Sequence, residues 1–264
     1  MNISLEELLK GKATKIKDKE YFQTAAYIEP FLERVTRIPG VTESDVSVQV
    51  EFPKQITITR KEDINLDDVT YNRVWIQAKL PESYQVENHD DVIGMIYGLD
   101  VRKPITKFYR GGLNKACTNL CVFDPKYLSV QELKSSSAIN YNQLDNLVEK
   151  SSEIKVFLES IRNREFIFDQ SNINETLGSW VRNCLNLSYS NGLSSAKLAT
   201  STAISAYKLL FEDSKSPYYI NNGNNSDYFN IYNAFTQVIS HDGKDIVNSC
   251  EKILLVKDIL GLNN

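Results

Sequence analysis

His89 and His241 are the only imidazoles in the chain. A Ser-His-Asp or Cys-His catalytic set needs one of them oriented by an acid. His89 stands in Asn88-His89-Asp90-Asp91, which reads as a solvated turn. His241 stands in Ser240-His241-Asp242-Gly243, which reads as a helix end, where an imidazole serves the last carbonyls. Neither is placed as a general base. Cys117 and Cys121 are four apart, while Cys184 and Cys250 are isolated, so the second ligand pair of a zinc site is missing. On a strand, residues four apart share a face, which makes both thiols core residues. Asp67-Asp68 and Asp90-Asp91 fall in polar stretches and read as turn and cap residues. Gly111-Gly112 lacks the flanking pattern of a phosphate-binding loop and reads as a hairpin turn. No catalytic residues, metal or cofactor are therefore expected. An unfamiliar set built on Cys117, Asn119 and His241 is the one enzymatic arrangement these residues leave open.

The most informative charge pattern is the stretch from Arg102 to Lys115. It holds Arg102, Lys103, Lys107, Arg110 and Lys115, encloses Phe108 and Tyr109, and contains one alternation of cation and ring without any acid. Cations interleaved with aromatics can hold a phosphate backbone while bases stack on exposed rings. On a strand, Lys107 and Tyr109 share one face and Phe108 and Arg110 the other, so one ring of the pair belongs to the core. A merely solvated basic hairpin is the competing reading.

These residues need a scaffold, and the sequence patterning supplies one. Ser4 caps a short helix that Gly11 ends, with Glu7 completing a capping box. A second helix is predicted from Glu20 to about Arg37, limited or bent by Pro30 and ended by Pro39-Gly40. The period then changes to two. Val46, Val48, Val50 and Phe52 alternate, Ile56 and Ile58 follow, and Val74, Ile76, Ala78 and Leu80 repeat the pattern. Strand-like runs continue at 91–97, 106–109 and 116–123, so residues 41–123 read as a mostly antiparallel sheet. After Pro125 helices are predicted at 142–161, 173–187, 194–211, 228–239 and 244–260, with Leu177, Trp180, Val181 and Leu185 facing inward in the second of these. N-terminal helices, a sheet and a helical C-terminal half define an α+β class. The reading is one domain with a sheet-containing half, 1–125, and a helical half, 126–264.

At 264 residues the chain is long enough to bury a core without disulfides or metals. With 42% hydrophobic and 24% charged residues it is not a disordered chain. A net charge of −4 gives no global field for nucleic acid, so binding would need a local basic patch. The first residues lack the apolar core of a signal peptide, and no apolar run approaches a membrane span. A cytoplasmic protein with free thiols is expected.

The run Ile93-Gly94-Met95-Ile96-Tyr97-Gly98-Leu99-Asp100, followed by Ala116-Cys117-Thr118-Asn119, resembles the central part of the phage and plasmid DUF932 family, where a strand and turn precede a strand ending in Cys-x-Asn. Tyr232-Asn233-Ala234-Phe235-Thr236-Gln237-Val238-Ile239-Ser240-His241 is similar to that family's C-terminal helix. The resemblance covers roughly residues 40–245. It departs at the turn after Tyr97, which lacks the usual His and following Gly, and at Gln237, which replaces a common Glu. What it implies is a setting, mobile elements in a bacterial host cell, since the family has no established activity. A weaker, fold-level analogy links it to Rad52-like single-strand annealing proteins of phages.

The expected function is non-enzymatic binding of single-stranded DNA or RNA through Arg102, Lys103, Lys107, Phe108, Tyr109, Arg110 and Lys115. The alternative is a phage counter-defence inhibitor, anti-CRISPR-like, that binds a host ribonucleoprotein or its guide RNA. No membrane partner is expected.

Overall fold

The computed structural model describes residues 2–13, 15–16, 19–51, 71, 73–81, 89–99, 104–114, 120–122, 124–133, 139–148, 152–167, 173–221, 225–241 and 246–262. The protein is an α+β fold. Its elements run β1 (Asn2–Ile3), α1 (Leu5–Leu9), β2 (Lys15–Ile16), β3 (Lys19–Glu20), α2 (Thr24–Val35), β4 (Val46–Glu51), β5 (Arg73–Lys79), β6 (His89–Gly98), β7 (Ile105–Asn114), β8 (Leu120–Cys121) and β9 (Leu128–Glu132). They continue as α3 (Asn142–Val148), α4 (Ser152–Arg162), β10 (Glu165–Phe166), α5 (Ile173–Asn186), β11 (Tyr189–Ser190), β12 (Ser195–Ala196), α6 (Thr200–Phe211), β13 (Ser226–Asp227), α7 (Tyr228–His241) and α8 (Ser249–Ile259). A seven-stranded sheet has the order β1-β4-β5-β6-β7-β8, with β9 also pairing to β7. The registers described for it are antiparallel, as in Val48↔Ile76 and Ile76↔Met95.

The chain divides into two compact units, Met1–Arg110 with Lys126–Lys150 and Gly111–Pro125 with Ser151–Asn264. In the first unit, one sheet face carries Val48, Val50, Val74, Ile76, Ala78, Ile93, Met95, Tyr97 and Phe108 into a core shared with Ile28, Phe31 and Val35 of α2 and Leu144 and Leu147 of α3. Alternation on β4 and β5 produces this, because period two sends every second side chain to the same face. Each aliphatic or phenyl side chain so buried contributes roughly 1.5–3 kcal/mol. Ser4 caps α1 and forms the expected capping box with Glu7, accepting from Glu7 N at 3.2 Å while Ser4 N donates to the Glu7 carboxylate at 2.7 Å. Pro30 lies inside α2, which runs on past it to Val35. The proline removes one donor to the preceding turn, and the buried apolar face outweighs that loss.

The second unit packs α4, α5, α6, α7 and α8 with one another. Trp180 of α5 meets Phe235 of α7 edge to face, with centroids 5.2 Å apart. Phe157 of α4 meets Tyr232 of α7 in the same way at 6.0 Å. β11 and β12 form a small hairpin in which Gly192 takes a positive φ of 83°.

Several local expectations are corrected. Gly111 and Gly112 are not a turn: they continue β7, and Gly112 pairs with Cys121. His89, Asp90 and Asp91 are not solvated; they open β6, all ten residues of which are buried. Strand structure does not stop at Pro125, since Leu128–Glu132 forms β9 against β7. The helix expected over 142–161 is described as α3 and α4. Residues 195–196 are strand, so that α6 starts at Thr200. In α5 Leu185 is exposed and Cys184 takes the inward place beside Trp180. Ile56, Ile58, Asp67 and Asp68 lie outside the described residues.

Candidate nucleic-acid interface

The centre of the basic stretch sits inside the sheet. Lys107, Phe108, Tyr109 and Arg110 are consecutive in β7 and each is fully buried. Arg102, Lys103 and Lys115 lie outside the described residues, as do Cys117 and Asn119. The face assignment holds, but both rings are internal. Phe108 joins the core under α3, with Tyr141 at 5.4 Å between centroids. Tyr109 lies against Gly94 of β6, and its hydroxyl accepts from Trp75 Nε1 and donates to Gln77 Oε1 at 3.0 Å.

Arg110 is engaged on every side described. Its Nε and Nη2 fork onto the Asp91 carboxylate at 3.2 and 2.6 Å. Its Nη1 donates to the Leu147 carbonyl at 2.9 Å and also to that of Val148. The guanidinium thus ties β6 to the C-terminal end of α3, where a cation also suits the helix dipole. A guanidinium in this position has no donor to offer a phosphate in solvent. As phosphate and base contacts, Lys107, Phe108, Tyr109 and Arg110 are therefore corrected to interior residues: charge composition alone cannot tell a solvated cation from one paired within a sheet.

Cations standing on aromatic rings do occur at the surface, in the second unit. α4 ends at Arg162, and its guanidinium carbon lies 4.5 Å from the Phe229 ring centroid. Two residues on, Arg164 lies 4.6 Å from the Tyr228 centroid, and Phe166 meets the same ring edge-to-face at 5.5 Å. The scaffold is the two-residue pair β10–β13, with Glu165 opposite Asp227 and Phe166 opposite Ser226. Tyr228 N donates to Arg164 O at 3.0 Å, which sets the start of α7 against the end of α4. Asp227 accepts from Asn230 N at 2.7 Å, satisfying a donor in the first turn of α7.

Beside Arg162 opens a cleft of about 540 Å³ lined by Asn163, Glu165, Asn225, Asp227, Phe229 and Asn230, among others. Of its lining, Asn163, Glu165 and Asn225 are exposed. A second cleft, of about 530 Å³, lies between α5 and the end of α8. There Asn183 Nδ2 and Arg164 Nη1 donate to the carbonyls of Ile259 and Gly261 at 3.0 and 3.2 Å, closing the helix end.

Sequence reading missed this site because its halves are over sixty residues apart. Arg162-Asn163-Arg164-Glu165-Phe166 does set two cations within four residues of a ring, and that was the available signal. Among the described residues no group of three His, Cys, Asp or Glu side chains is placed to hold a metal ion. His241 ends α7, and Cys184 and Cys250 are free and buried, with burial pushing the Cys184 thiol up. No helix among the described residues is long and apolar enough to cross a membrane. No family model, curated protein or solved structure matches the chain.

Proposed function

We propose that this protein binds single-stranded nucleic acid without catalysing a reaction, and that Arg162, Arg164, Tyr228 and Phe229 form the contact surface. The observation that carries the reading is the pair of guanidinium groups, each on an aromatic ring, beside an amide-lined cleft. Arginine offers a planar fork of five donors whose geometry matches phosphate oxygens. A base stacks on such a ring or on the guanidinium plane for about 1–3 kcal/mol. The small size and mixed charge of the site fit a flexible single strand rather than a duplex rail. The resemblance to the DUF932 family supplies the setting we assign, a phage protein at work in the bacterial cytoplasm.

The test is fluorescence anisotropy with labelled single-stranded RNA and DNA across a salt series. Wild-type affinity is expected to fall with salt, and Arg162→Ala with Arg164→Ala to lower the log–log slope by about 1.4, two phosphate contacts on a single strand. Arg37→Ala with Lys10→Ala removes the same charge from exposed side chains elsewhere and should leave the slope unchanged. Absence of binding at low salt, or an unchanged slope in the Arg162/Arg164 variant, rejects the reading. Capture of a host ribonucleoprotein without affinity for free strands would replace it with the counter-defence alternative.

A further inference from the structure

Arg164 stands between the end of α4 and β10 with an exposed side chain, yet that side chain is tied down at two points. Its guanidinium carbon lies 4.6 Å from the Tyr228 ring centroid, and its Nη1 donates to the Gly261 carbonyl at 3.2 Å. Among the described residues no other hydrogen bond or ion pair engages the guanidinium, so the donors on Nε and Nη2 are not used within the fold. An exposed arginine is ordinarily free to sample many rotamers, and fixing one costs entropy. Here the fold has met part of that cost in advance.

The Gly261 carbonyl reaches Arg164 because of the way α8 ends. Leu262 N donates to Lys257 O at 2.9 Å and Gly261 N donates to Asp258 O at 3.2 Å, the two bonds of a Schellman cap. Gly261 is its left-handed residue, with φ 66°. A Cβ at this position would meet nothing within 4 Å, so the site constrains backbone conformation and not side-chain size. The following residue, Leu262, is buried and anchors the far side of the cap. An L-residue with a branched or methyl Cβ is strained in that conformation, whereas asparagine tolerates it.

We infer that Gly261 is a positioning residue for the nucleic-acid contact: its carbonyl, aimed by the cap of α8, holds Arg164 on Tyr228 and leaves Nε and Nη2 for a phosphate oxygen. This rests on the nucleic-acid reading above and deepens it, by naming a residue that acts on the ligand only through Arg164, 97 positions away in sequence. Ordering a freed arginine at the moment of binding would weaken affinity by about twofold to tenfold, which is the gain the cap supplies.

The experiment uses the full chain and labelled octa-uridine at low salt, read by anisotropy, with Gly261→Ala, Gly261→Asn and Arg164→Ala made singly and Gly261→Ala combined with Arg164→Ala. Gly261→Ala is expected to bind about twofold to tenfold more weakly. Gly261→Asn should restore wild-type affinity, and Gly261→Ala should have no further effect once Arg164 is alanine. Nitrogen-15 relaxation of the arginine Nε–H groups, with Arg164 assigned by Arg164→Lys, gives a readout that needs no ligand: the group should be ordered in the wild type and mobile in Gly261→Ala. Wild-type affinity in Gly261→Ala, an equal loss in both backgrounds, or an Arg164 Nε–H already mobile in the wild type overturns the positioning role and leaves the binding reading standing. If the wild-type protein binds no strand at low salt, the binding reading fails and the positioning role falls with it.

Discussion

Replacing Arg110 by alanine tests whether the middle of the basic stretch is structure or interface. The substitution strips the Asp91 carboxylate of a two-point partner and leaves it among buried neighbours, its side chain only 2% exposed. It also removes the donor to the Leu147 and Val148 carbonyls at the end of α3. Removing one member of a buried ion pair costs about 3–5 kcal/mol, because a charge is stranded in low dielectric. That is a large share of the roughly 5–15 kcal/mol by which a domain is stable. Burial already pushes the Asp91 carboxyl up despite the opposing pull of Arg110, so the variant should take up a proton there and recover part of the loss at low pH. The assay is urea denaturation followed by tryptophan fluorescence, with Arg110→Met combined with Asp91→Leu as the companion variant. The companion should return to within about 1 kcal/mol of wild type, since a buried pair exchanged for apolar groups is close to neutral. If Arg110→Ala keeps wild-type stability but loses affinity for single strands, the guanidinium is a ligand contact and the present assignment is wrong.

Two further perturbations probe the same sheet. A methyl group at Gly94 would fall inside the van der Waals envelope of the Tyr109 phenol, which is held by Trp75 and Gln77, so Gly94→Ala should destabilise by about 1–3 kcal/mol; an unchanged urea midpoint would show that the ring moves freely. Burial raises the phenols of Tyr97 and Tyr141 and pushes Tyr71 up to about 12, so the folded protein keeps protons that the unfolded chain releases above about pH 10. Stability is then complete below pH 10 and falls as pH climbs toward 12, by at most about 1.4 kcal/mol per pH unit for each phenol. Denaturation midpoints at pH 9, 10 and 11 measure it, Tyr71→Phe should flatten the curve, and a flat wild-type profile would count against the burial argument.

The parts of the fold legible in sequence were those in which a local rule and tertiary packing agree. Alternation at Val46–Val50 and Val74–Leu80 placed two central strands because both have one polar face. Ser4 and Glu7 marked a helix start because capping is satisfied within four residues. The failures share a cause. His89-Asp90-Asp91 has turn composition, yet it opens a strand whose polar groups are met by partners distant in sequence, Arg110 for Asp91 and Lys79 for Asp90 at 2.9 Å. Gly111-Gly112 has turn composition too, but β7 runs straight through it into pairing with Cys121. Leu185 fits the helical spacing of α5, yet the inward stripe runs through Trp180 and Cys184.

The same distinction decides where binding is to be sought. Arg110 and Arg162 are chemically identical, and in sequence Arg110 has the better credentials, with five cations and two rings in fourteen residues. What separates them is the partner. Arg110 faces a buried carboxylate and two helix-terminal carbonyls, which use its fork within the fold. Arg162 stands over the Phe229 ring, which attracts a cation through its π-face. A half-buried guanidinium on an aromatic ring lies within reach of an incoming phosphate or base, whereas one on a buried carboxylate does not. A charge-reversal scan of both positions therefore has opposite expected readouts: Arg110→Glu should unfold the protein by setting two carboxylates together in the interior, and Arg162→Glu should fold normally and bind more weakly. Weakened binding by a folded Arg110→Glu would invert the argument.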